Sequence, residues 1–234
     1  MHIHPSHSRG KADHGWLKSH HTFSFADYFD PERMGFGTLR VINDDIIAPG
    51  MGFGTHPHRD MEIITIPTAG ALAHKDSEGN SSVIRKGEVQ IMSAGTGIRH
   101  SEFNASDSEL SELLQIWVHP KVKNVKPRYE QKSFTPESRR NQFSLVVSPD
   151  GRESSVVINQ DAFFSLADME EGVELTYQAK LSGNGAYLFV LTGEISLNGM
   201  KLHARDGVGI DDLSCLELKA LTQAEVLIME VPLG

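Results

Sequence analysis

Between Gly50 and Asn104 the chain sets out side chains of the kinds that bind a transition metal. The first segment runs Gly50-Met-Gly-Phe-Gly-Thr-His56-Pro-His58-Arg-Asp-Met-Glu62, and the second closes on Gly97-Ile-Arg-His100-Ser-Glu102-Phe-Asn104. In an extended strand, residues two apart share a face. His56 and His58 then point together, with Glu62 on the same parity, and His100 and Glu102 point together on the other segment. Two such strands side by side bring three imidazoles and a carboxylate to one point. Nitrogen and oxygen donors of this kind suit divalent iron, manganese, nickel or copper. A cysteine-only zinc site is excluded, because Cys215 is the only cysteine.

The segments that must hold these residues read as short strands. From Gly50 to Pro120 apolar stretches of four to eight residues alternate with turn residues: Glu62 to Ile66, Ala71 to Lys75, Ser82 to Arg85, Val89 to Met92 and Leu113 to His119. That rhythm predicts an all-β sandwich or barrel. Residues 120–142, with Pro120, Pro127 and Pro136, read as a connection, with one helical turn over Pro136 to Arg140. Strand rhythm returns from Phe143, with a hairpin at Asn198-Gly199, the pair that tight turns prefer. The two halves read as a repeat: Ile66-Pro-Thr-Ala-Gly70 aligns with Val190-Leu-Thr-Gly193, and Gly87-Glu-Val-Gln-Ile with Gly207-Val-Gly-Ile. The second copy has His203 alone, so one half is expected to carry the site and the other to be structural.

At the start, His2, His4, His7 and His14 follow no strand or helix period, and a mobile terminus is expected there. Phe23 and Phe25 alternate as in a half-buried strand; with Trp16 they are expected to be core rather than pocket lining. Gly50, Gly52 and Gly54 precede no helix, so they read as a sharp backbone turn beside a strand, not a phosphate loop.

The formal net charge of −9 argues against a general nucleic-acid binder. The basic stretch Lys121 to Arg128 reads as a solvated loop. Apolar runs such as Ala186 to Leu191 fall far short of the ~20 residues that span a bilayer. No signal-like segment precedes residue 30, and a lone cysteine fits a reducing compartment; a cytoplasmic protein is expected.

The segments Gly50 to Gly70 and Gly87 to Asn104 resemble the two cupin motifs, with Ser93 in place of the usual proline and a longer spacing before His100. Four stretches together resemble the pirin family: His21-Thr-Phe-Ser-Phe-Ala-Asp-Tyr-Phe-Asp, Leu39-Arg-Val-Ile-Asn-Asp-Asp, Gly54-Thr-His-Pro-His-Arg-Asp-Met-Glu and Met92-Ser-Ala-Gly-Thr-Gly-Ile-Arg-His-Ser-Glu. The likeness is dense over residues 14–130 and thin beyond. It implies an all-β bicupin of two double-stranded β-helix barrels: residues 1–125 hold the metal, and residues 126–234 form a degenerate copy without ligands. It implies His56, His58, His100 and Glu102 as metal ligands, with Glu62 or Asp60 holding the imidazoles from behind. Fe(II) is the first choice of ion, with Mn, Ni, Cu, Co and Zn as alternatives.

Some pirin-like proteins are quercetin 2,3-dioxygenases, which implies a flavonol-like aromatic substrate, O2 as co-substrate and Glu102 as the base. Ring opening would release carbon monoxide and leave a depside. The rival implication is a non-catalytic, metal-dependent redox sensor that binds a protein partner; a cupin enzyme for an unrelated small molecule is a third. A monomer that binds neither nucleic acid nor membrane is expected.

Overall fold

The computed structural model describes residues 1–234. A seven-stranded sheet runs, edge to edge, through Gly10–Asp13, Leu17–His21, Leu39–Ile47, Ser111–Val118, Glu62–Ala69, Glu88–Ser93 and Arg128–Ser133. Against it lies a four-stranded sheet of Gly52–His58, Ile98–Asn104, Ala71–Asp76 and Ser81–Arg85. Leu72 and Ile84 of the small sheet pack with Leu17, Ile47 and Leu113 of the large one. The C-terminal half repeats the plan of seven and four strands, except that its edge strand Val156–Val157 runs parallel to Ser144–Ser148. Its large sheet is Val156–Val157, Ser144–Ser148, Phe163–Met169, Ala224–Pro232, Asn184–Thr192, Gly207–Ile210 and His2–His4. Its small sheet is Glu174–Gln178, Cys215–Ala220, Glu194–Leu197 and Met200–His203.

The two large sheets stack back to back. Ile42, Ile64, Leu114 and Ile116 from one meet Phe164, Phe189, Leu227 and Met229 from the other in the largest buried cluster. Their strand neighbours turn the opposite way: Ile63 packs within the first barrel and Leu188 and Ile228 within the second. Strands buried on both faces carry continuous apolar runs instead of alternation. This accounts for the unbroken run Ala186 to Leu191. Each such side chain removed from water contributes roughly 1.5–3 kcal/mol, so the fold draws its stability from this layer.

Each half lends the other an edge strand. Arg128–Ser133 pairs with Glu88–Ser93, and His2–His4 pairs with Gly207–Ile210. The sequence-expected change of half near residue 125 therefore falls just before a strand that joins the first sheet. That strand escapes a sequence reading because all but its last residue is only half buried, and its residues are largely polar. The helical turn Pro136–Arg139 forms beyond it, as expected.

The N-terminus departs from the expected mobile segment. His4 Nδ1 lies 2.8 Å from the Tyr187 hydroxyl, and the ring rests near Phe23 and Tyr187. His2 pairs with Asp211 at 2.9 Å. Burial, aided by the charges of Arg33 and His2, lowers the His4 pKa to about 4. The unfolded chain then takes up this proton at higher pH than the folded one. The His4 contribution to stability is accordingly whole above about pH 6.5 and is lost as pH falls towards 4. We expect His4→Gln to flatten that part of the stability–pH curve, read by urea unfolding between pH 7 and pH 4. An unchanged slope would show that this histidine does not couple protonation to docking of the terminal strand.

Phe23 is core as expected, but neither it nor Phe25 lies in the expected strand. The strand ends at His21; Phe23 sits in the central core, and Phe25 bridges to Tyr28 across a turn with Ala26 at φ 49°.

Candidate metal centre

Gly52–His58 and Ile98–Asn104 are antiparallel neighbours, with His100 opposite His56 and Ile98 opposite His58. The register slips between His100 and Glu102, so Glu102 faces Phe53, and Gly54 and Thr55 together oppose Ser101. Such a bulge bends its strand and re-aims the neighbouring side chain, here His56. Gly52 is required at this crossing: a Cβ there would lie 2.2 Å from the Glu102 carbonyl oxygen. The expected turn falls on Gly50 alone, at φ 64°, whereas Gly52 and Gly54 lie within the strand and only Gly52 serves the close approach.

The three imidazole rings surround one point, with centroids 4.4 Å apart for His56–His100 and 4.8 Å for both His56–His58 and His58–His100. One ring nitrogen from each lies within 4.8 Å of the others. Glu102 approaches from the same strand as His100, with its Oε2 4.0 Å from His100 Nε2. His56 donates from Nδ1 to the Gly54 carbonyl at 2.8 Å, which leaves Nε2 bare. Trp117 Nε1 donates to Gln115 Oε1 at 3.3 Å. That contact fixes the amide, whose Nε2 donates to Glu102 Oε2 at 2.9 Å.

Two atoms in this buried cluster have no partner, His100 Nε2 and Glu102 Oε1. A buried polar atom left unmatched costs about 1–3 kcal/mol, more for a charged group. A cation between the imidazoles and the carboxylate would satisfy both. Burial, reinforced by its histidine neighbours, lowers His100 to about 2, and burial with His56 lowers His58 to about 4. These two imidazoles are neutral at pH 7, the form that coordinates metal. Burial raises Glu102 to about 7 against the Gln115 hydrogen bond, and an adjacent cation would hold it ionised. The residues fit one divalent transition metal, and a metal-binding site is present.

Glu62 lies elsewhere. Its Oε2 accepts from Ser93 Oγ at 2.8 Å and from the Asn159 backbone N–H at 3.1 Å, which ties the two halves together. Asp60 accepts from the Asn124 backbone N–H at 2.7 Å. Neither holds an imidazole. The strand parity that joined His58 to Glu62 is broken between them, where Asp60 takes φ 46°.

Sequence reasoning passed over three side chains. Gln115 was legible as a polar residue inside Leu113-Leu-Gln-Ile-Trp117. His74 and Asp76 share parity on Ala71–Asp76 and face inward, fully buried, behind His100. Ligand-type atoms of His74, His100 and Glu102 also lie within 4.8 Å of one another.

A cavity of about 510 Å³ adjoins the cluster, lined by Leu17, Phe25, Tyr28 and Phe53 together with Asn43, Asp45 and Gln115. Gln115 is shared between the cavity wall and Glu102, and Phe53 stands 6.4 Å from His56. The volume and apolar lining suit a small molecule. Phe25, expected as core, is part of this wall, whereas Trp16 packs 5.2 Å from Phe53 behind it.

Comparison with known proteins gives one consistent answer. A family profile described as Pirin matches residues 2–118, and one described as Quercetinase C-terminal cupin domain matches residues 145–231. A protein named quercetin 2,3-dioxygenase from Escherichia coli is 43% identical over 236 residues, covering 99% of each chain. A pirin-like protein from Caulobacter vibrioides is 42% identical over 222 residues, covering 94% of this chain and 95% of its own. The crystal structure of the Escherichia coli pirin YhhW in complex with nickel(II) superposes with a TM-score of 0.94. It is 42% identical and covers 100% of this chain and 99% of that one.

Proposed function

This chain belongs to the pirin family of bicupins, and on that footing we propose that it is a metal-dependent dioxygenase of the quercetin 2,3-dioxygenase type. His56, His58, His100 and Glu102 are the ligands in this reading, and Glu102 is also the base. Residues 1–125 and 126–234 supply its two domains, apart from the edge strands His2–His4 and Arg128–Ser133 that each half lends the other, with the metal in the first only. The observation that carries it is the pair of unpartnered buried atoms, His100 Nε2 and Glu102 Oε1, beside an apolar cavity. Asn43, Asp45 and Gln115 would meet the hydroxyl groups of a flavonol, and Phe25, Tyr28 and Phe53 its ring faces.

A divalent ion held by His56, His58, His100 and Glu102 would supply Lewis acidity that favours the deprotonated flavonol. The chain supplies the rest. Glu102, buried and held ionised beside the ion, would take the 3-hydroxyl proton and return it to the product carboxylate. Gln115 keeps that carboxyl aimed, and the rings of Phe25, Tyr28 and Phe53 offer an apolar surface to the substrate ring. One flavonol and one O2 then give one depside and one carbon monoxide. Both atoms of O2 remain in the depside, and C3 leaves with the former 3-hydroxyl oxygen.

The test is aerobic turnover of quercetin by metal-analysed protein, with carbon monoxide and O2 measured together. We expect one CO formed for each O2 and each flavonol consumed. No CO from fully metal-loaded protein would overturn the enzyme and leave the redox-sensing regulator as the better account.

A further inference from the structure

We infer that His74 and Asp76, which are not among the proposed ligands, form with His100 a relay that fixes which nitrogen His100 offers to the ion. The inference rests on His100 being a ligand. It assigns His74 as a positioning residue that acts through His100.

The sheet register brings the three together. On Ala71–Asp76, Asp76 stands opposite His100 and His74 opposite Glu102. The His74 and Asp76 side chains are both wholly excluded from solvent. His74 Nε2 lies 3.2 Å from Asp76 Oδ2, and His74 Nδ1 lies 3.5 Å from His100 Nδ1. Asp76 also accepts from the backbone N–H groups of Glu78 and Asn80, each at 3.0 Å, and from Asn80 Nδ2 at 2.9 Å. The carboxylate is thus held by donors on both oxygens and meets His74 as an acceptor.

Proton placement along the chain then has a single solution. A carboxylate acceptor requires the hydrogen of neutral His74 on Nε2. His74 Nδ1 is left with a lone pair, and the atom facing it, His100 Nδ1, must be the donor. Neutral His100 therefore has its lone pair on Nε2. That is the atom without a protein partner, and it lies 4.0 Å from Glu102 Oε2. The opposite tautomer of neutral His74 would set a lone pair against the Asp76 carboxylate.

The plane of His74 is also fixed. The Tyr129 ring lies 4.9 Å away, tilted 34°, and its hydroxyl is bonded to Ser82 and, at 2.8 Å, to Gln131. His56, by comparison, is oriented by a backbone carbonyl. His100 is the imidazole whose rear nitrogen leads to a carboxylate. Partners of that kind raise the basicity of a ligating histidine and hold its ring in place, and their loss typically weakens metal binding 10–100-fold.

The test is calorimetric titration of the full chain with Ni(II), comparing the parent with His74→Phe and His74→Gln, each shown by thermal melting to be folded. Phe keeps the ring packing against Tyr129 and removes the acceptor. Gln restores an oxygen that can accept from His100 Nδ1. We expect one Ni(II) bound in all three, about 10–100-fold more weakly in His74→Phe, and near the parent affinity in His74→Gln. The visible bands of the Co(II)-loaded protein should shift in the Phe variant and return in the Gln variant. Equal affinity in parent and His74→Phe overturns the relay. So does a Gln variant as weak as the Phe variant, which would mean packing alone. Loss of the whole equivalent in His74→Phe would make His74 a direct ligand. A parent that binds no Ni(II) would instead overturn the ligand assignment itself, and this inference with it.

Discussion

Glu102→Gln should lower flavonol turnover by about 10²–10⁴-fold, the range typical of a lost acid–base group, while most of the metal is retained. The carboxamide keeps the size of the side chain and one oxygen, but it has no basicity at neutral pH. The three imidazoles, drawn to within 4.8 Å of one another, remain to hold the ion. Glu62→Gln is the matched control. Its carboxyl serves Ser93 and the Asn159 backbone, so the change should leave turnover near that of the parent. Steady-state CO production and metal content, measured on the same samples, check both. A crippled Glu62→Gln beside an active Glu102→Gln would move the proton-accepting role to Glu62. Metal lost together with activity in Glu102→Gln would reduce Glu102 to a ligand.

The double variant His56→Ala, His58→Ala should lose essentially all bound metal, from one equivalent per chain in the parent, and still fold. Stoichiometry follows from the second barrel, where the strands matching Gly52–His58 and Ile98–Asn104 are Glu174–Gln178 and Cys215–Ala220. Their inward residues are Tyr177, Leu216, Leu218 and Ala220, packed in an apolar core without histidine, and the buried carboxylate that Tyr177 meets, Glu230, accepts on both oxygens from the Lys180 and Leu181 backbone N–H groups. Folding should survive because the back-to-back layer of the large sheets contains no metal residue. The parent should gain stability from the ion only by mass action, about 2.7 kcal/mol at a hundredfold excess over the dissociation constant. Elemental analysis, far-ultraviolet dichroism and melting with and without chelator provide the readouts. Loss of β structure in the double variant, or two ions per parent chain, would contradict this account.

Much of this centre was legible because strand parity is a local property. His100 and Glu102 are two residues apart on one strand, and His56 and His58 on its neighbour, so period two alone puts each pair on one face. The Asn198-Gly199 hairpin was legible for the same reason, since a tight turn is written in its own two residues. What could not be read depends on register between strands. His74 reaches His100 only because Ala71–Asp76 borders Ile98–Asn104, and the bulge at Gly54 and Thr55 exists only relative to Ser101. Glu62 was assigned to the wrong neighbours because one left-handed residue, Asp60, ended the parity count. His2–His4 and Arg128–Ser133 gave too little apolar pattern to register as strands, being edges, and the partner of His2–His4 lies roughly 200 residues away.

The exchange of edge strands also imposes an order on vectorial synthesis. Arg128–Ser133 leaves the ribosome soon after its partner Glu88–Ser93, so the metal-bearing barrel can close while translation continues. The second barrel cannot. His2 waits for Gly209, and at about 5–20 residues per second the roughly 200 intervening residues take about 10–40 s. For the last part of that interval, once Ser133 has been made, the segment that will seal the far sheet hangs from a barrel already able to close. Nascent chains should therefore acquire metal-binding competence before they acquire a closed second half.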